Sequence, residues 1–355
     1  MKKKGFTLIE MLGVITVLAI LSVIVVPMVI NQVRSKKDKI KSSIISTINA
    51  AAVLYIDQNK DEFNGQVNSC VKISSLVNKS LLDDTIYSYD EFGFDLKESY
   101  IFTKSYDREA SLGLSCTPVY KKYDDATIIY FNPEINNMCS NPVSSSGVKK
   151  GCMKWYIFGD DENSSTVKML LDHNTTPVVD YNTSINTALS NDISSWNLDV
   201  RNTARLITAD EIAGITGAKE ALKWDSSKPY SSGVPTIGTN ISRFYFDGAY
   251  GTNATWRSMV AKTKGGSRFA WLYDYTMCLD STLYTGCNII DSNYYEYEDL
   301  ENVYIQGYWT GTPVTGETGK VWKVDMYGSL LAADGSEGFK NGVRPVINVS
   351  KSIIK

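Results

Sequence analysis

Residues 6–30, FTLIEMLGVITVLAILSVIVVPMVI, make a 25-residue apolar run that carries one acid, Glu10, and stands directly after three lysines and a glycine. As an α-helix a run of that length crosses the hydrocarbon of a bilayer, because a helix satisfies its backbone N–H and C=O groups internally. Lysines at the near end favour the cytoplasmic side, which sends the remainder of the chain outward. A secretory signal ends its apolar region at small residues and is cut there. Here the small residue, Gly5, precedes the run, so a cut at that point leaves the helix on the product. Glu10 is the costly member: an isolated carboxylate in hydrocarbon costs on the order of 2.5 kcal/mol or more on insertion and has to find a partner.

Lys2, Lys3, Lys4 and Gly5 ahead of Phe-Thr-Leu-Ile-Glu resemble the leader of type IV prepilins and pseudopilins. The resemblance implies cleavage after Gly5 by a prepilin peptidase, methylation of the new N-terminal Phe6, and Glu10 as the fifth residue of the mature chain. It also implies that the partner of Glu10 is the freed amine of a neighbouring subunit. Pro27 stands where that family often carries a helix-kinking proline. The partners so implied are other pilin subunits, the cytoplasmic membrane and the peptidase, with a single pass and the C-terminus at the cell surface or in a pilus.

Beyond Pro27 the helical pattern continues. Val33, Ile40, Ile44, Ile48, Ala51 and Tyr55 recur at three-, four- and seven-residue steps, while Arg34, Lys36, Lys37, Lys39 and Lys41 occupy other faces. From Phe6 to about Asp57 such a helix is roughly 75–80 Å long, with a second half available to a globular head. The lysines read as a solvated or headgroup-facing collar.

Composition constrains the rest of the chain. With 43% hydrophobic residues in 355, it can bury a substantial core. The formal charge of −3 falls to −6 once the three leader lysines are gone, which leaves no basic footprint for nucleic acid. All six cysteines (Cys70, Cys116, Cys139, Cys152, Cys278, Cys287) come after the apolar run, and none forms a CxxC pair, as suits disulfides in an oxidising compartment. Their pairing is open from sequence alone. A single histidine, His173, leaves little for a zinc site or a Ser-His or Cys-His pair. No cofactor and no catalytic residue is therefore assigned.

Four segments are expected: a leader over 1–5, a long helix over 6–58 with its membrane part at 6–30, a small pilin-type head over 59–150, and a larger domain over 151–355. In the head, Asn64-Gly65 marks a turn, Ile73 to Leu82 a short helix and SYIFTKSY a strand, with Cys70 and Cys116 a reasonable pair. Cys139 and Cys152 bracket a Pro/Ser/Gly-rich stretch that marks the neighbourhood of the domain boundary.

After Met153 the chain is rich in Trp, Tyr, Gly and Asn, and holds all seven tryptophans. Short apolar runs (WYIFG, VKMLLD, FAWLYDYT, VYIQGYWTG, VWKVD, GVRPVINV) between long polar connections predict a loop-rich α+β fold with a modest sheet. Thr208, with Glu211 three residues on, predicts a capping box and a short helix. Three pieces, ARLITADEIAGITG, GYWTGTP and GVRPVINV, resemble the C-type-lectin-like fold of formylglycine-generating enzymes and their non-enzymatic relatives. That family's catalytic members hold copper between two closely spaced thiolates near the C-terminus. Cys278 and Cys287 lie earlier and nine apart, so a disulfide is the better reading and the enzyme the weaker rival.

The segment from Asp291 to Trp309 is dense in Tyr, Asn and acids, a mixture that serves adaptable recognition. Tyr294, Tyr295 and Tyr297 are the candidate ligand-binding residues. Asp291, Glu296, Glu298 and Asp299 supply oxygens of the kind Ca²⁺ takes, though without EF-hand spacing. The reading that results is a minor or tip pilin-like subunit displaying a non-catalytic lectin-like module for adhesion. The alternative is a structural pilus subunit or a secretion or competence pseudopilin.

Overall fold

The computed structural model describes residues 8–89, 92–104, 110–140, 143–144, 147–148, 151–176, 179–231, 238–246, 269–273, 307–325, 328–336 and 341–354; side chains are described from residue 11, except at 20–27 and a few other positions. A long N-terminal helix leads into mixed α and β structure with several antiparallel sheets. The chain divides into two compact units, Met1–Val119 and Tyr120–Lys355.

In the first unit, helix α1 (Leu8–Gln58) is 51 residues long, or about 77 Å at 1.5 Å per residue. It runs through Pro27 without a break. Among the described residues no helix is long and apolar enough to cross a membrane; the run from Phe6 to Ile30 lies only partly within that set. The lower third of α1 buries Ile44, Ile48, Ala51 and Ala52, the stripe that periodicity marks. Above it Val33 and Ile40 remain exposed.

That stripe packs on β1 (Gln66–Lys72), the short helix α2 (Ile73–Asn78), β2 (Tyr100–Lys104) and β3 (Ser111–Gly113), forming one cluster with Phe63, Val71, Ile73, Leu76, Leu96 and Ile101. The antiparallel order is β3-β2-β1, and the chain leaves through the two-residue strand β4 (Val119–Tyr120) on the far side of β1. The turn into β1 needs Gly65, whose φ is 83°. Cys70 and Cys116 are bonded. Closing a loop of that separation, 46 residues, contributes about 4 kcal/mol on a chain-entropy estimate.

The second unit begins about thirty residues earlier than the Pro/Ser/Gly-rich stretch suggests. β5 (Ile128–Asn132) and β6 (Asn137–Met138) pair with each other, and β5 pairs with β7 (Met153–Phe158), which in turn pairs with β8 (Thr166–Leu171). The Pro/Ser/Gly-rich stretch is therefore a loop inside this sheet, closed by the Cys139–Cys152 disulfide, and no linker. The correction is physical: residues 128–131 pair with 153–156, so this stretch belongs to the sheet of the second unit and not to the head.

After β8 comes α3 (Tyr181–Asp192), which hydrophobic periodicity does not predict. Its twelve residues are mostly polar and bury only Ile185; Asp180 caps it by accepting from the Thr183 N–H. Then come β9 (Arg205–Leu206), α4 (Ala209–Ile215), β10 (Arg243–Tyr245), the single turn α5 (Ala270–Tyr273), β11 (Gly307–Pro313), β12 (Lys320–Asp325), β13 (Ser329–Asp334) and the closing strand β14 (Pro345–Ser350). Within the apolar run FAWLYDYT, Ala270–Tyr273 is helical; Asp274, Tyr275 and Thr276 lie outside the described residues.

The larger sheet has the order β9-β14-β8-β7-β5-β6, and the smaller β10-β13-β12-β11. The last strand thus lies beside β8, with Val167 opposite Val349 and Met169 opposite Ile347. Between the sheets sits an aromatic core that includes Tyr156, Phe158, Trp224, Phe244, Phe246, Trp271, Tyr308 and Trp322. Trp224 and Trp322 meet edge to face with centroids 5.0 Å apart. A second cluster around Trp155, Trp196, Met169 and Ile347 fills the other face of the larger sheet.

Residues beyond β14 are built in as well. Lys351, fully buried, pairs with Asp160 at 2.9 Å and donates to the Asp161 carbonyl at 2.8 Å. The Tyr123 hydroxyl donates to the carbonyl of Ile354 at 3.2 Å.

Candidate functional site

Two regions are expected to carry function, and the structure describes them unequally. Gly5 and Phe6 lie outside the described residues. Glu10 falls within α1, as does Pro27, without a described side chain at either. Tyr294, Tyr295 and Tyr297, the acids Asp291, Glu296, Glu298 and Asp299, and Cys278 and Cys287 all lie outside the described residues. Among those that are described, no group of three or more His, Cys, Asp and Glu is placed to hold a metal ion.

Elements on both sides of the Tyr-rich segment in sequence are described, and they meet at Arg344. This side chain is buried just ahead of β14, and its guanidinium donates to four backbone carbonyls: Nε to Leu171 at 2.6 Å, Nη1 to Leu272 at 2.6 Å, and Nη2 to Asp172 at 3.0 Å and to Trp271 at 2.7 Å. Its plane also lies against the Tyr308 ring, 5.0 Å from the centroid. The Tyr308 hydroxyl donates to the same Leu272 carbonyl at 2.8 Å. Burial pushes that hydroxyl up to about 12, with Arg344 working against the rise, so it remains a donor across the physiological range.

Only a planar cation with five donors can gather carbonyls from β8, its exit and α5 at one point. The arrangement fixes α5 to the end of the larger sheet. It also accounts for the turn at Ala270–Tyr273, since the carbonyls of Trp271 and Leu272 are spent on Arg344 instead of a neighbouring strand.

Beside this point lies Asp172, whose side chain is fully buried and stands 3.3 Å from the Lys154 ammonium. Burial pushes the Asp172 carboxyl up, while Lys154, Arg344 and a hydrogen bond with Tyr156 pull it down. Neither Asp172 nor Lys154 stands out in the sequence. The one available signal is an acid at the end of the apolar run VKMLLD. His173, next along, is buried, as are Asn174, Asn341 and Trp309; the Asn174 amide donates to the Gly307 carbonyl at 2.9 Å and the Trp309 indole to that of Val179 at 2.8 Å.

Next to β9, the capping box is present as the Thr208 and Glu211 spacing predicts. The Thr208 hydroxyl accepts from the Glu211 N–H at 3.1 Å, and the Glu211 carboxylate accepts from the Thr208 N–H at 3.0 Å. Arg205 completes it with a bidentate grip at 2.7 and 2.8 Å, and Lys168 stands 3.4 Å away. Burial raises the Glu211 carboxyl, but Arg205, the Thr208 N–H and Lys168 outweigh it and hold the group below its ordinary 4.5.

The unfolded chain therefore takes up this proton first as pH falls. The stabilisation is intact above the unfolded value and is lost as pH drops through the lower folded value. Glu211→Gln is expected to cost roughly 1–2 kcal/mol near neutrality, with the gap to wild type narrowing as the pH falls below the ordinary carboxyl value, as read from urea midpoints at neutral and at acid pH. A constant gap would show that the carboxylate charge does not matter.

These groups hold the fold and present no open reactive centre among the described residues. Residues 1–26 match the prokaryotic N-terminal methylation motif. No curated protein and no solved structure is detectably similar to the chain.

Proposed function

We propose that this chain is a type IV pilin-like subunit, cut after Gly5, held in the membrane by the first half of α1, and carrying a non-catalytic display module outside the cell. One observation carries the reading: the methylation motif over residues 1–26 stands on a helix that continues to Gln58 and is clothed by its own small head only in its lower third. A plain signal anchor has no reason to extend rigidly beyond the bilayer with an uncovered apolar stripe. Two disulfides in the outer portion suit an oxidising compartment.

The second unit, residues 120–355, is the part displayed. A last strand returning beside β8, a separate smaller antiparallel sheet and a large aromatic core between them support a C-type-lectin-like module. Its size argues for a minor or tip position, since a module larger than the head would crowd every repeat of a helical filament. Quantitative mass spectrometry of sheared filaments tests this. The expected result is a stoichiometry far below that of the main pilin; a dominant, equimolar band would make the chain a structural subunit instead. The adhesion role rests on ligand binding by the intact ectodomain on glycan and protein arrays, with alanines at Tyr294, Tyr295 and Tyr297 expected to weaken the signal.

A further inference from the structure

Directly above the head, α1 carries five cations in eight residues: Arg34, Lys36, Lys37, Lys39 and Lys41, against one acid, Asp38. Arg34, Lys36, Lys37 and Lys39 are exposed, and no ion pair involves any of the five among the described residues. Lys41, half-buried, points 5.8 Å over the Phe92 ring. The cluster is therefore not neutralised by the protein's own head.

Its distribution is informative. At ~100° per residue the five cations are spread over about 220° of the helix circumference, and Asp38 stands in the remaining sector of about 140°. A protein partner covers one side of a rod and would be matched by charges on one face. A layer that surrounds the rod is matched by charges on more than one face, as a spread beyond half the circumference gives. The cluster spans seven steps of the helix, about 10 Å along its axis, comparable with a headgroup layer of roughly 5–8 Å. It also begins four residues beyond Ile30, where the apolar run ends.

We infer that residues 34–41 form a collar that binds the anionic headgroups of the outer face of the membrane and so fixes the depth of the helix before assembly. The inference rests on the membrane-anchored reading above. Each basic residue at an anionic surface strengthens attachment by about fivefold, and salt removes the effect because the screening length falls to about 3 Å at 1 M.

The test uses the processed full-length chain in nanodiscs of phosphatidylcholine, with or without phosphatidylglycerol. Amine acetylation rates at Lys36, Lys37 and Lys39 are compared with those at Lys79 and Lys97, exposed lysines of the head. The expected result is labelling of the collar several-fold slower in the anionic discs, restored at 1 M salt, with the head lysines unchanged. Equal rates in both lipids would overturn the collar while leaving the anchor intact. Slowing that appears in both lipids and grows with protein density would overturn it in favour of a second copy of the chain. Release of the protein from the discs by alkaline extraction would overturn the anchor itself and the collar with it.

Discussion

Glu10→Leu is expected to leave cleavage after Gly5 intact and to remove the chain from filaments. The reasoning is electrostatic. A carboxylate in the hydrocarbon layer is tolerated when an opposite charge lies beside it, and in the assembly reading that charge is the amine which cleavage creates on Phe6 of a neighbour. Deleting the acid strands the amine at the same depth. At on the order of 2.5 kcal/mol or more for one unpaired charge, incorporation falls by about 70-fold. The comparison is of processed subunit in the membrane with subunit in sheared filaments, by immunoblot, with Gly5→Ala as the uncleaved control. Normal incorporation of the leucine variant would remove the pairing argument.

The second large effect is expected at Arg344. Arg344→Met keeps the length and apolar stem but strands four carbonyls and leaves the buried Asp172 with Lys154 as its nearby cation. Breaking a buried charge arrangement from one side costs about 3–5 kcal/mol, a large share of a typical domain's stability. Urea denaturation of the ectodomain followed by tryptophan fluorescence reads it directly, since Trp271 lies at this point. Arg344→Lys is expected to recover only a minor part, because one ammonium cannot reach from Leu171 to Leu272. A methionine variant within about 1 kcal/mol of wild type would show that the carbonyls find other donors.

How much of this is legible in the sequence depends on whether the signal is local. The helix from the apolar run to the end of the Val33–Tyr55 stripe is a periodic pattern, and the end it predicts near Asp57 compares with Gln58 in the structure. The capping box needs three residues and is equally plain. Strands such as VWKVD and VKMLLD announce themselves by apolar composition. By contrast, α3 is held by an aspartate cap and by docking of Ile185, neither of which shows as periodicity in YNTSINTALSND. The turn at Ala270–Tyr273 depends on an arginine more than seventy residues away. A boundary near residue 150 is the wrong inference because Pro, Ser and Gly mark a linker and a hairpin loop alike; the pairing of Ile129 with Trp155 decides between them.

Since β14 lies between β8 and β9, the larger sheet remains open until residues 345–350 are available. Lys351 and Ile354 are then sealed inside. A nascent chain halted before β14 would emerge on the outer side without a central strand of its sheet, an obvious substrate for surface proteases. Translation through this strand is thus a condition of folding here, and a truncation ahead of Lys351 would leave the buried Asp160 without its paired ammonium.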